Sequence, residues 1–376
     1  MMSNLQVLEQ IYQGKVDFSA PELDPYKTFA ESVVRSLLTN IQKHVKPGDP
    51  KISEESIGTG SSFEGVKVKP DLEFDFLVPM DIKYVQIIFS NDDHNVPVCY
   101  GLIQIEQPRK DMQSTSKSDK DTDFKEKFCM KFGRHGHLLS AKSIQEWFQS
   151  LCAKTLPELF KSFPGINFKF RTSGPARTLV FNWRGKEMNI DIVPAVKYKL
   201  TYLVAKMSSH LGEAAWRLSF SRNEKTFFHG LSTNSCYFKC LKILKYLREN
   251  DEKMCQSSQL TSSCPSYFLK TAFFHQVLKS DKHAWQNKDL EDRMKALLQY
   301  LANCMKQRHL AHIFMGNREL EGRRDSWVQG VPSEFFSFKN TNLLKDFNPG
   351  TLDQIRLRLL YIHDNLGEVL QTHLRG

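Results

Sequence analysis

No stretch of the chain approaches the roughly 18 consecutive apolar residues that a membrane-spanning helix needs. Residues 1–18 carry Glu9, Lys15 and Asp17 and lack the apolar block of a secretory leader. These absences set the expectation of a cytoplasmic protein without a transmembrane segment. Cysteine is sparse and scattered. The eight residues Cys99, Cys129, Cys152, Cys236, Cys240, Cys255, Cys264 and Cys304 include no CxxC pair, the pattern of reduced structural thiols rather than a disulfide framework. No internal repeat is seen, and the composition excludes collagen, coiled coil and wholesale disorder. What is present is ample core material, with 40% hydrophobic residues and 27 Phe in 376 positions. The 52 Lys and Arg outnumber 42 Asp and Glu, and a net charge of +10 points to a polyanionic partner: nucleic acid, nucleotide phosphates or an acidic membrane surface.

The hydrophobic period changes along the chain. Phe29, Val33, Val34, Leu37, Leu38 and Ile41 recur at helical spacing and predict a long spine helix over residues 25–46. Strand-like alternation follows at 72–78, with further short strands at 84–89, 98–105, 168–171, 178–183 and 188–193. Residues 107–128 carry six Lys/Arg and five Asp/Glu and read as a surface loop. Helical patterns then cover 215–228, 237–249, 266–279, 290–314 and 352–374. The expected fold class is α+β and two-lobed: a mixed-sheet lobe with its spine helix over residues 1–205, an all-helical lobe over 206–376, and an active site in the cleft between them.

Within this frame, Gly58-Thr59-Gly60-Ser61-Ser62 precedes the strand holding Glu73-Phe74-Asp75. Alternation puts Glu73 and Asp75 on one face and Leu72, Phe74 and Phe76 on the other. Two like charges at that spacing call for a cation between them, and all-oxygen ligation suits Mg²⁺. A small Gly-Ser turn lets backbone N–H groups and a hydroxyl approach phosphate oxygens. Alternating acids and a glycine turn also describe the wet face of any strand, but a third acid tilts the balance. Asp191 shares a strand face with Asn189 and Val193, and three carboxylates meet if the two strands are neighbours.

These residues resemble the nucleotidyltransferase superfamily signature of a Gly-Ser turn, an acid-x-acid strand and a distal acid. The resemblance extends in order along most of the chain through Trp216-Arg217-Leu218-Ser219-Phe220-Ser221, Leu244-Lys245-Tyr246-Leu247 and Lys270-Thr271-Ala272-Phe273-Phe274-His275, which are similar to segments of cyclic GMP-AMP synthase-like receptors. It implies that Glu73, Asp75 and Asp191 are catalytic and hold Mg²⁺ (or Mn²⁺), with Asp191 nearest the attacking hydroxyl. It implies triphosphate contacts from Thr59, Gly60 and Ser61, and base or ribose contacts from Arg217, Ser219, Ser221 and Glu224. Lys245 and Lys270 resemble phosphate-contacting lysines, and Ser266-Tyr267 resembles a pair whose ring stacks on a base. The implied activity joins two nucleoside triphosphates, ATP and GTP, into a cyclic dinucleotide serving innate immunity. A catalytically silent scaffold of the male-abnormal family and an enzyme extending nucleic-acid ends are the alternatives. Three clustered carboxylates favour catalysis, because a scaffold has no need of them.

The synthase carries a zinc-binding insertion of one His and three Cys. Here the corresponding region offers only His229, Cys236 and Cys240, short of a tetrahedral set, so no zinc is expected. Ser62 stands where the synthase has an aromatic residue. The resemblance also implies activation by a nucleic acid docked opposite the cleft, with Lys27, Arg35, Lys43 and Lys46 as the phosphate-contacting candidates and Lys142, Lys154, Arg134 and Lys239 as further contributors. Without the zinc insertion the expected activator is double-stranded RNA, with double-stranded DNA as runner-up. A ligand-induced oligomer is a further implied state.

Overall fold

The computed structural model describes the chain apart from residues 1, 19, 69–71, 91, 93–94, 107–118, 174–175, 208–210, 257, 340 and 376, and apart from the side chains at 20, 119–122, 134 and 172–173. The fold is mixed α+β. A mixed sheet fills the first part, and helices dominate after Ser221. The sheet is organised by its longest strand, Lys186–Tyr198, which pairs parallel with Glu73–Asp81 and antiparallel with Ala176–Trp183 and Thr201–Val204. Antiparallel pairing then continues through Ala215–Ser219, Tyr100–Ile105, His137–Leu139 and Cys129–Lys131.

The spine helix spans Ala20–Gln42 and buries Val33, Val34, Leu37, Leu38 and Ile41. Phe29 stacks on Trp183, ring centroids 4.3 Å apart, fixing the helix across the sheet. The helix stops four residues short of the expected end. Lys43 lies in the turn that follows, and Lys46, which precedes Pro47, is driven out of the helical region.

The chain before the spine helix carries structure that periodicity did not reveal. Ser3 and Gln6 form a capping box that starts helix Asn4–Ile11, which buries Val7, Leu8 and Ile11. This helix packs against the C-terminal helix Leu366–Arg375. Lys15 donates to the His373 carbonyl at 2.7 Å, while Lys239–Glu9 and Lys242–Asp17 ion pairs of 2.6 and 2.9 Å hold the same segment. Residues before the spine helix therefore pack on helices from the 206–376 half, and the sheet runs past residue 205 into Ala215–Ser219.

Three helical expectations need correction. Residues 215–228 divide into strand Ala215–Ser219 and helix Ser221–His229, because Trp216 and Leu218 are buried while Arg217 and Ser219 alternate toward the cleft. The helix expected over 290–314 ends at Gln307, where Arg308 adopts a left-handed φ of 52°. Residues 352–374 form two helices, Pro349–Asp364 and Leu366–Arg375, broken at Asn365. A Cβ at Gly367 would stand 2.6 Å from Asn4 Oδ1, so glycine there lets the N-terminal helix approach. The loop reading of 107–128 is corrected in part: Asp119–Phe128 is helical, and residues 107–118 lie outside the described residues. No described helix is long and apolar enough to cross a membrane.

Candidate active site

The site is built from one short strand, one tight turn and two neighbouring strands. Ile57–Thr59 pairs antiparallel with Glu73–Asp81, setting Thr59 opposite Asp75. The chain then turns at Gly60, whose φ is +74° and where a Cβ would lie 2.2 Å from Asp75 Oδ2. Glycine is required twice over, by conformation and by space. The single-turn helix Ser61–Glu64 follows, with Phe63 and Glu64 donating N–H bonds to the Gly60 carbonyl at 3.1 and 3.0 Å. The Ser62 hydroxyl donates to the Glu73 carbonyl at 2.6 Å, tying the turn to the acid strand. An aromatic at Ser62 could not make that bond.

Phe74 and Phe76 are buried on one face of the acid strand, which leaves Glu73 exposed and Asp75 half-buried on the other. Asp191 is the register partner of Asp75 in the parallel pair, and one carboxylate oxygen from each of Glu73, Asp75 and Asp191 lies within 4.8 Å of the others. The buried Thr178 donates its hydroxyl to Asp191 Oδ1 at 2.5 Å and fixes that carboxylate from behind. Burial, then the charges of Glu73 and Asp191, push the Asp75 carboxyl up to about 7. Acids this close are electrostatically unbalanced without a cation. Their all-oxygen donor set fits a hard divalent ion such as Mg²⁺ or Mn²⁺, with Glu73, Asp75 and Asp191 as its ligands.

Beside the acids lies a cleft of about 400 Å³. Of the nucleotide-site candidates, Thr59, Gly60, Arg217, Ser219, Ser221, Glu224, Tyr267 and Lys270 line it. Ser219 and Ser221 hydroxyls stand 3.0 Å apart on its wall. Lys270 bonds both Glu64 and Glu224, at 2.7 and 2.6 Å. Burial opposes the lysine's charge, but the two carboxylates prevail and hold its proton well above the ordinary range. Burial conversely raises the Glu64 carboxyl.

The remaining candidates, Ser61, Lys245 and Ser266, do not line the cleft. Ser61 opens the single-turn helix, and Ser266 is exposed at the start of helix Ser266–Lys279. Lys245 donates to the Val66 carbonyl at 2.9 Å, with its amine lowered to about 8 chiefly by burial.

Sequence reasoning missed several residues of this region. His312 lines the cleft and is brought to about 3 by burial, so it is neutral. Its Nδ1 accepts N–H bonds from Phe314 and Met315, both at 3.1 Å, which leaves the Nε2 proton to donate to the Tyr267 hydroxyl at 3.3 Å. Lys206 shares the cleft wall with Arg217, and burial followed by that guanidinium lowers its amine. Lys67, buried behind the acids, lies 3.9 Å from Glu73. Nothing in the sequence distinguishes His312 or Lys67. Lys206 would have needed its strand context.

The nucleic-acid candidates separate. Arg35, Lys43 and Lys46 are exposed, whereas Lys27 is half-buried with its ammonium 5.1 Å from the Phe63 ring. Lys142 and Lys239 pair with Glu213 and Glu9, and Lys154 is exposed at the end of helix Ala141–Lys154. The side chain of Arg134 lies outside the described residues. In the region scanned for zinc, His229 Nε2 is 3.1 Å from the Phe63 carbonyl, and burial raises the Cys236 thiol to about 12 and Cys240 well above its usual value. Among the described residues, the one group of three His, Cys, Asp or Glu side chains able to share an ion is the Glu73, Asp75 and Asp191 set.

A Gly-Ser turn, paired acids on one strand and a third acid on its parallel neighbour define a nucleotidyltransferase fold. Residues 62–230 match the Mab-21 protein nucleotidyltransferase domain, and residues 236–325 match the Mab-21 protein HhH/H2TH-like domain. The chain belongs to the Mab-21 family and is cyclic GMP-AMP synthase-like within it. It is 26% identical to the cyclic GMP-AMP synthase of Sus scrofa over 340 residues, 78% of this chain and 63% of that protein. The Mus musculus synthase is 26% identical over 327 residues, 75% of this chain and 59% of the relative. The inositol 1,4,5-trisphosphate receptor-interacting protein of Bos taurus is 22% identical over 385 residues, covering 92% of this chain and 67% of its own length. The chain thus spans less than two thirds of the length of either synthase.

Proposed function

We propose that this chain is a nucleic-acid-activated nucleotidyltransferase that joins two nucleoside triphosphates, ATP and GTP, into a cyclic dinucleotide second messenger in the cytoplasm. The observation that carries this reading is the meeting of Glu73, Asp75 and Asp191 beside the Gly-Ser turn, at the edge of a cleft lined by polar and cationic side chains. Bound divalent ions would neutralise charge on the phosphates and favour the deprotonated acceptor hydroxyl. In this reading Glu73, Asp75 and Asp191 hold those ions, and Thr178 keeps Asp191 aimed. Thr59, Gly60 and Ser61 form the turn that cradles the triphosphate, with Lys270 reaching its phosphates from the cleft; Lys245 braces that turn through the Val66 carbonyl, and Ser266 precedes the stacking Tyr267 at the start of its helix. Arg217, Ser219, Ser221 and Glu224 orient base and ribose, while the Tyr267 ring, steadied by His312, supplies a stacking face.

The proposed activator is double-stranded RNA, held through phosphates by Lys27, Arg35, Lys43 and Lys46 with oligomer formation on binding, and double-stranded DNA is the runner-up. A non-catalytic binding role is the second reading, favoured by the long match to a relative named as a receptor-interacting protein. The proposed domain division, near residue 205, puts the acids on the sheet side and Lys245, Ser266, Tyr267 and Lys270 on the helical side.

The deciding experiment incubates the chain with labelled ATP, GTP, CTP and UTP plus Mg²⁺, with and without long double-stranded RNA or DNA, and resolves the products. Cyclic dinucleotide that falls 10²-fold or more in folded Asp191→Asn and Glu73→Gln proteins is expected. Linear extension products would favour an end-extending enzyme. Parent-level product from both variants would remove the catalytic assignment.

A further inference from the structure

Lys67 has no part in the roles above. Its side chain is only 8% exposed, and its ammonium lies 3.9 Å from Glu73 Oε2, an ion pair too long to be a hydrogen bond. Among the described residues no other lysine or arginine forms an ion pair with Glu73, Asp75 or Asp191. The backbone on either side is fixed. The Val66 N–H donates to the Ser61 carbonyl at 3.1 Å, the Val66 carbonyl accepts from Lys245 at 2.9 Å, and Val68 forms a bridge with Asp17. Lys67 is therefore delivered to Glu73 by the same segment that closes the Gly-Ser turn. A lysine is rarely this buried without a partner, and the acid cluster is the partner present.

We propose that Lys67 is a positioning residue of the metal site, a resident counter-charge that holds the three carboxylates together before divalent cations arrive and then competes with those cations for Glu73. This rests on the reading of the three acids as a metal site. A charge placed so close to carboxylates offsets part of their mutual repulsion, but the same charge opposes any cation entering between them. Its two effects have opposite signs, which separates the proposal from mere packing. Neutralising Lys67 should weaken the metal-free protein and strengthen metal binding, whereas loss of packing would weaken both or leave binding unchanged.

The test uses the full chain without nucleotide. Mn²⁺ binding is followed by electron paramagnetic resonance, and melting temperature is measured in chelator and in excess Mn²⁺. Compared with the parent, Lys67→Met should melt lower in chelator, bind Mn²⁺ about tenfold more tightly and gain more on Mn²⁺ addition. Lys67→Arg should behave like the parent. Lys67→Gln carries the same expectation as the Met variant should that variant fail to fold. Mn²⁺ affinity unchanged or weakened in the neutral variants would overturn the inference while leaving the metal site standing. Parent protein showing no Mn²⁺ binding that Asp191→Asn removes would overturn the metal-site reading and this inference with it.

Discussion

Replacing Lys270 by methionine should cost far more stability than a cleft-lining lysine normally would, and the cost should depend on pH. The lysine comes from helix Ser266–Lys279, and its two partners come from the turn helix Ser61–Glu64 and from helix Ser221–His229. It is 17% exposed, with Glu64 at 2% and Glu224 at 8%, so water reaching the two carboxylates from the cleft compensates only in part for its loss. Removing one member of such a buried cluster leaves uncompensated charge, an effect worth about 3–5 kcal/mol. Without the ammonium, burial and Glu224 both raise the Glu64 carboxyl, and nothing as close opposes them. An acid raised in the folded state stabilises fully below its unfolded value, and that contribution is lost as pH rises through the folded value. Urea denaturation should therefore show a deficit at pH 8 that shrinks at pH 5. Adding Glu64→Gln to the variant should return about 1–3 kcal/mol at pH 8, because the two substitutions act on one contact. A deficit under about 1 kcal/mol at pH 8, or an equal deficit at both pH values, would refute the reasoning.

Lys245 supplies a test at higher pH. Its buried amine, lowered from 10.5 to about 8, is less protonated in the folded chain than in the unfolded one between those values, so its contribution to stability falls as pH drops from 10.5 toward 8. The parent should gain stability relative to Lys245→Met as pH rises from 8 to 10.5, and parallel denaturation profiles would contradict the assignment. For the proposed activator, reversing charge at both Arg35 and Lys43 should weaken duplex RNA binding and flatten its salt dependence, since fewer counterions are released. Activity should then return at higher RNA concentration or lower salt. Full activity without nucleic acid, unchanged by the double substitution, would show that the chain is not a sensor.

How far the site can be read from sequence depends on the range of the interaction. The common face of Glu73 and Asp75 follows from strand alternation alone, and Phe74 and Phe76 are buried as that alternation requires. Asp191 could be placed on its strand but not beside Asp75, because parallel pairing between segments so distant in the chain leaves no local mark. Strand Ala215–Ser219 reads as helix in the sequence for a related reason. Five residues give too short a sample to tell period two from period 3.6, and the true helix begins immediately afterward at Ser221. Lys67 is hidden in another way: a lysine between two valines reads as a solvent-facing strand residue, and only the folded chain turns it toward acids. The Ser62 bond to the Glu73 carbonyl likewise depends on a backbone atom that no side-chain pattern encodes.

The N-terminal clasp has a mechanical consequence. Helix Asn4–Ile11 is bound to the C-terminal helix, and the chain then passes Phe18 to enter the spine helix. It crosses back at Phe220, between strand Ala215–Ser219 and helix Ser221–His229. Phe18 and Phe220 are both buried. Two bodies linked at two separate points lose most of their freedom to slide or twist, and what survives is rotation about the line through the links. On the proposed two-lobed division, any opening of the cleft would be confined to a single angular coordinate, like a door on two pins. Three carboxylates carried on one half and a tyrosine and lysine carried on the other would then meet in one fixed alignment.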